Sequence, residues 1–581
     1  MHTMRSRLRT CLLILAALVL LCVGWLWWNR PQLVDMAGYA PADALVYLEA
    51  NNLTDMLNGL TATDAWQALA PPAGLKTNFN QLGWLSRAVA WTGIGPAESV
   101  VLARAQMAVV VMGLDAAEEP EQALHIKPRV ALVVETHTSK GRAQAAVEKL
   151  VGDFARRAHG DARIERKEAE GATLITWPNP QGGLPIIAAV LESVVIVGND
   201  EAAVQACLAV RRGTRAALTG DAQLSEMRER MHADDALAFG YVPQAGARRL
   251  LAVGVLAYAG RLAADQKAQS AAAILLPQIA NRLVGGVAWS AHVADGSMID
   301  SYFMTVPNGV PPRLRAALTS VGQPAPRAAN LLPDDVYQLT RYNYQQPEVA
   351  WRELQAMLSS QLDITIAPFV TRFLDEALKP FGIAEPREFL RAAGPELATV
   401  RVDAQGEGLL LVAQVRDRDA LRAQVTKQLG VVRVEHVDDA ELWIARDEER
   451  GAAAFVADYL LLGAPDDVRR CLAARAAQHT LAAREAFERA TRLVTTEDPA
   501  GIISFTDDRT ATYTLLTLFG RQKVLRTNST PNESALQRAL AARPYAITET
   551  RPVEGGFERR TSSAFGLFGT IAGQLVVETG K

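Results

Sequence analysis

The chain has 581 residues, more than one compact core holds, so two to four domains are expected. With 49% hydrophobic and 21% charged residues, the balance is that of a globular protein and excludes a largely disordered one. A formal net charge of −3 leaves no basic surplus to neutralise phosphates, which argues against a nucleic-acid partner.

Arg5, Arg7 and Arg9 precede an uninterrupted apolar run over residues 11–28. As a helix that run would be about 27 Å long, close to the thickness of a bilayer core. Trp25, Trp27 and Trp28 close it, where aromatic rings favour the headgroup region, and Asn29, Arg30 and Pro31 end it. The arginines stand mainly before the run. The positive-inside rule then makes residues 1–10 a cytoplasmic tail and 11–28 a transmembrane anchor. The expected location is a bacterial inner membrane, single-pass and N-in, with the large remainder in the periplasm or outside. A cleaved signal peptide has a shorter apolar region and small residues at its exit, so the anchor is expected to stay uncleaved. No second span follows. The best remaining stretch, residues 564–577, has 14 residues and contains Gln574.

The rest repeats itself. Pro41-Ala42-Asp43-Ala44-Leu45-Val46-Tyr47 introduces a strand, and Pro333-Asp334-Asp335-Val336-Tyr337 does likewise. Residues 131–150 (ALVVETHTSKGRAQAAVEKL) match 410–429 (LLVAQVRDRDALRAQVTKQL) without a gap. Each reads as a buried strand, a polar turn and an amphipathic helix. Residues 188–198 (AAVLESVVIVG) match 453–463 (AAFVADYLLLG), two short strands about an acidic turn residue, Glu192 or Asp458. A helix follows in both, with Cys207 and Cys471 at matching places and Asn199 or Asp466 as the expected cap. Residues 235–242 and 499–506 are equivalent strands. The predicted organisation is repeat 1 over 29–306, a Pro-rich linker over 307–329, and repeat 2 over 330–581. The predicted fold class is α+β: an N-terminal transmembrane helix, then two divergent copies of a mixed or antiparallel sheet unit with helices on one face.

This arrangement resembles the bacterial family catalogued as domain of unknown function 3352. The resemblance rests on the anchor, on Pro-Ala-Asp-Ala-Leu-Val-Tyr-Leu-Glu at 41–49, and on the second Pro-Asp-Asp at Pro333. It also rests on the closing Arg560-Thr561-Ser562-Ser563-Ala564-Phe565-Gly566-Leu567. It covers nearly the whole chain and implies an exported or membrane-tethered bacterial protein. It brings no catalytic residues.

Motifs that carry chemistry are missing. No serine sits in G-x-S-x-G, and neither a G-x-x-x-x-G-K-[ST] loop nor H-E-x-x-H occurs. Gly93-Ile94-Gly95-Pro96 offers G-x-G alone and reads as a turn. The eight histidines (His2, His125, His137, His159, His232, His292, His436 and His479) include no i, i+4 pair. The acid pairs Asp234-Asp235, Asp334-Asp335 and Asp466-Asp467 precede a strand or open a helix, where turn and capping chemistry explains them. Cys207 and Cys471 read as two small buried hydrophobes without a disulfide. The tryptophans, Trp177, Trp289, Trp351 and Trp443 among them, are spread out and read as core or rim anchors.

No catalytic, cofactor-binding or metal-binding residue is therefore predicted, and no cofactor. The expected function is a non-catalytic, membrane-tethered cell-envelope protein of structural or interaction type. The alternative is a binding module holding an apolar ligand or peptide in a cleft between the repeats. Expected partners are the membrane, other envelope proteins or such a ligand, with no nucleic acid.

Overall fold

A computed structural model of the protein describes residues 31–78, 89–119, 122–160, 164–169, 171–180, 183–262, 284–320, 326–360, 378, 383, 385–406, 408–447, 450–495, 499–521 and 525–569. Twenty strands lie among them, and every pairing is antiparallel. The chain divides into two units. The smaller takes residues up to Thr61 with Asn78–Gly246; the larger takes Ala62–Thr77 with everything from Ala247 on.

The smaller unit holds β1 (Val46–Ala50), β2 (Gln106–Glu119), β3 (Gln122–Glu135), β4 (Glu165–Ala169), β5 (Ala172–Trp177), β6 (Ile186–Leu191), β7 (Val194–Gly198) and β8 (Ala238–Val242). Their pairing runs β8-β1-β2-β3-β7-β6-β5-β4. Strands next to each other in the chain pair in β2–β3, β4–β5, β5–β6 and β6–β7, and a tight turn can join only antiparallel strands. The β6–β7 turn is two residues long, Glu192 and Ser193, with Glu192 left-handed at φ 53°. After β3, the helix Lys140–His159 returns over the sheet. Its Ala143, Val147 and Ala155 pack on Ile175, Trp177, Ala188 and Val190. After β7, the helix Glu201–Arg211 is capped by Asp200, whose carboxylate accepts the Ala203 N–H at 2.8 Å. Asn199, the expected cap, instead ties down β3: its side chain accepts from Val130 N and donates to Pro128 O, both at 2.9 Å.

The larger unit holds β9 (Val287–Ala294), β10 (Ser297–Thr305), β11 (Gln338–Asn343), β12 (Ala393–Arg401), β13 (Leu409–Val415), β14 (Val432–Val437), β15 (Ala440–Ala445), β16 (Ala452–Val456), β17 (Tyr459–Gly463), β18 (Ile502–Thr506), β19 (Ala546–Val553) and β20 (Gly556–Ser563). The pairing runs β9-β10-β20-β19-β18-β11-β12-β13-β17-β16-β15-β14. From β11 to β18 it reproduces, pair for pair, the neighbours of β1 to β8. The matched sequence blocks fall on equivalent elements: β3 with the helix Lys140–His159, and β13 with the helix Arg418–Leu429.

The expected fold needs correction on three counts. First, β9 and β10 lie inside the expected first repeat, yet they extend the sheet of the larger unit through β20, so the units are unequal. Second, helices cover both faces of the central strands, not one. On one face of β13, Leu410 and Val412 join Leu461 and the helix Pro465–Ala476; on the other, Leu411 and Ala413 join Leu460 and the helix Arg418–Leu429. Strands apolar at every position, such as Leu-Leu-Leu-Val-Ala, suit burial on two sides. Third, the expected anchor over 11–28 lies outside the described residues, and among those described no helix is long and apolar enough to cross a membrane. The longest of them, Lys140–His159 and Gln244–Leu262, carry charged side chains, Arg248 and Arg249 in the second, which a bilayer interior disfavours. The single-pass inner-membrane location and its signal-anchor and transmembrane labels are set aside.

Described residues of the Pro-rich stretch, in 307–320 and 326–329, pack into the larger unit. Val310 and Leu314 are buried beside Val306 and Met357, and Ala328 and Ala329 enter the main core. The excursion Ala62–Thr77 supplies Trp66, fully buried and edge-on to Phe519 at 5.5 Å and Phe565 at 6.3 Å. Its indole N–H donates to Lys76 O at 3.0 Å.

Candidate functional site

Side chains alternate along a strand, so one face of neighbouring strands collects every second residue. On the sheet of the larger unit, register places Asp300 (β10), Thr561 (β20), Thr548 (β19), Ser504 (β18) and Thr340 (β11) in one row. The hydroxyls pair along it: Thr548 with Thr561 at 3.0 Å, and Thr340 with Ser504 at 2.9 Å. Beside the row, Arg559 lies opposite Tyr302, its guanidinium 5.9 Å from the ring centroid.

The helix Arg509–Gly520 leaves directly after β18 and stands over this face. Between helix and sheet opens a cleft of about 950 Å³, lined by Asp300, Thr561 and Thr548 of the row together with Tyr302, Tyr337, Thr510, Thr514, Arg559 and Phe565. That volume lies within the range of small-molecule and peptide sites.

Three acids line the cleft, Asp300, Asp507 and Asp508. Asp300 is 1% exposed; it accepts Trp289 Nε1–H at 2.8 Å and Leu567 N–H at 2.9 Å. Asp508 accepts the Ala564 N–H at 3.2 Å. Burial pushes both carboxyls up to about 6 against these hydrogen bonds, which pull the other way. Asp300 and Asp508 thus grip the backbone that follows β20. Asp507, next to Asp508, is paired with Arg509. Burial, and then the nearby Asp300, pushes the Tyr302 phenol up as well, so it stays a neutral donor.

The residues singled out in the sequence lie elsewhere. Asp234 and Asp235 form a short 3-10 turn before β8, and Asp466 and Asp467 are in the first turn of Pro465–Ala476, whose cap is Ala464. Gly93 and Gly95 have φ 66° and 148°, a turn that admits glycine readily. His292 bonds Ser290 at 3.1 Å; His137 bonds Gln106 at 3.0 Å. Among the described residues no three His, Cys, Asp or Glu side chains come together as metal ligands. Cys207 and Cys471 are buried and free, and burial pushes each thiol up to about 12.

The cleft itself was missed. Its signal was present as hydroxyls at alternate positions, Thr548 and Thr550, then Thr561 and Ser563. The closing motif on which the family resemblance rests runs along its wall at Thr561, Ser563, Phe565, Gly566 and Leu567. Compared with protein-family models, curated proteins and solved structures, the chain finds no match. No relative therefore lends this cleft a function, and its chemistry is the only guide to what it holds.

Proposed function

We propose that this chain is a non-catalytic interaction protein that holds a peptide-like ligand in the cleft of its larger unit. The observation that carries this is the set of hydroxyls lining the cleft, Thr548, Thr561 and Ser563 on the sheet and Thr510 and Thr514 on the helix, beside aromatic rings and one guanidinium. Hydroxyls donate and accept, as amide groups require. Tyr302, Tyr337 and Phe565 offer apolar faces to side chains. The Arg559 fork matches a carboxylate at a chain end or on an acidic side chain.

Catalysis has little support here. No His or Cys is among the described residues lining the cleft, and its two raised carboxyls are engaged with backbone N–H groups. A nucleophile would need a base within hydrogen-bond reach, and the Thr548–Thr561 pair has only another hydroxyl.

Fluorescence anisotropy of labelled short peptides with free carboxyl termini tests the proposal. Loss of a hydrogen bond to a charged group weakens binding by roughly tenfold. Arg559→Ala should show that loss for free-acid peptides and little for amidated ones. Mass spectrometry should recover the peptides intact. Peptide cleavage, or binding indifferent to Arg559→Ala and Thr561→Val, contradicts the proposal.

A further inference from the structure

An antiparallel strand bonds its neighbour through every second residue, and the residues between turn their N–H and C=O groups the other way. At β14, the end strand of the larger unit, Arg446 N donates to Val431 O at 2.8 Å. In the β14–β15 register this makes Val431, Arg433, Glu435 and Val437 the residues that bond across to β15. Val432, Val434 and His436 then direct their backbone groups outward. Among the described residues no strand pairs with that outward side. Val431 is 70% exposed and Val434 47%.

A bare edge is a template for another strand, and proteins commonly blunt it with charge. The counterpart of β14 in the smaller unit, β4, is blunted in this way: Glu165, Arg166, Lys167 and Glu168 are all exposed on it. β14 reads Val-Arg-Val-Glu-His-Val instead. That order is self-complementary. With a second copy laid antiparallel about Val434, every outward residue meets an outward residue: Val434 faces its own copy, and Val432 faces the partner's His436. Arg433 falls opposite the partner's Glu435, twice by symmetry, and Val431 falls opposite the partner's Val437. A shift of two residues either way sets Val434 against a turn residue, Gly430 or Asp438. Within one chain Arg433 lies 2.8 Å from Glu435, and Arg469 lies 4.0 Å from it. The Arg433 and Glu435 side chains are 64% and 35% exposed, and such surface pairs are weak enough to exchange partners.

We propose that this chain forms a twofold dimer by antiparallel pairing of β14 with β14 of a second copy. The backbone groups of Val432, Val434 and His436 supply the hydrogen bonds, the Arg433–Glu435 pairs fix the register, and Val431 is covered by the partner's Val437. The symmetry is isologous, as in most dimers, and an interface of one strand is small, so the dimer is reversible.

Sedimentation velocity of the full chain over a range of concentrations tests the pairing, and a reversible dimer should appear. Arg433→Glu, or Glu435→Arg, sets like charges opposite one another and should weaken the dimer about tenfold. An equimolar mixture of these two variants puts opposite charges back in register and should restore association, as should R433E/E435R in one chain. Val434→Pro removes an outward N–H and no bond to β15, so it should keep the strand and abolish the dimer. A monomer at every concentration, which leaves the edge to a strand of another protein, overturns the proposal. So does a dimer that Val434→Pro leaves intact, or a mixture that associates no more tightly than either charge variant alone.

Discussion

Ala457 is the first residue of the two-residue β16–β17 turn and is held left-handed at φ 49°, as Glu192 is in the β6–β7 turn. A Cβ in that region costs about 1 kcal/mol, which glycine does not incur. Ala457→Gly should therefore raise stability by up to about 1 kcal/mol in urea unfolding, and an unchanged or lower midpoint would show the turn is not strained. The buried Asp300 makes a pH prediction. Its folded carboxyl titrates near 6, above the roughly 3.9 of an unfolded chain. The folded state thus holds this proton more tightly. Stability falls as pH rises from about 4 to 6, by on the order of 2–3 kcal/mol, and the loss is complete above that window. Asp300→Asn should remove this share of the fall and leave the like contribution of Asp508, whose carboxyl is also pushed up to about 6; parallel profiles for the two proteins would refute the assignment. At this scale the sequence was informative about turns and silent about Asp300, because its burial depends on Leu567 and Trp289 being folded around it.

The central strands carry cores on both faces, and adjacent residues report the two sides. Leu460 belongs to the core beneath Arg418–Leu429, Leu461 to the core beneath Pro465–Ala476, and both are fully buried. Each change to Ala should cost about 2–5 kcal/mol, the range for large-to-small core substitutions. A one-sided sheet would make only one of the two sensitive, so the pair discriminates. The sequence already showed β17 as Tyr-Leu-Leu-Leu-Gly, with no polar residue to mark a solvent face. The strand was legible, whereas its second cover was not, because the covering helix lies much earlier in the chain. The matching helices bury Cys207 and Cys471 on their packed stripes. With both thiols pushed up to about 12, thiolate is scarce at pH 8, so neither should be alkylated until denaturant is added. Peptide-level labelling of the native protein checks this, and rapid modification or a Cys207–Cys471 linked peptide would contradict it.

Within each unit the whole-molecule plan was partly written in the sequence. The blocks at 131–150 and 410–429 correspond because apolar spacing survives where residue identity does not. What stayed hidden is the larger unit's extension. β10 pairs with β20 across more than 250 residues of chain, and no local pattern announces so distant a neighbour. The cleft depends on that pairing, since Asp300 and Tyr302 come from β10 while Thr561 and Arg559 come from β20. Trp66, from the excursion Ala62–Thr77, supports its wall through Phe565. The central claim is that this assembled face holds a ligand, and hydrogen–deuterium exchange of the full chain with and without a bound peptide tests it most directly. Added protection should concentrate in β10, β19, β20 and the helix Arg509–Gly520, and should vanish in Thr548→Val/Thr561→Val. Protection confined to other elements, or unchanged in that variant, would contradict the claim.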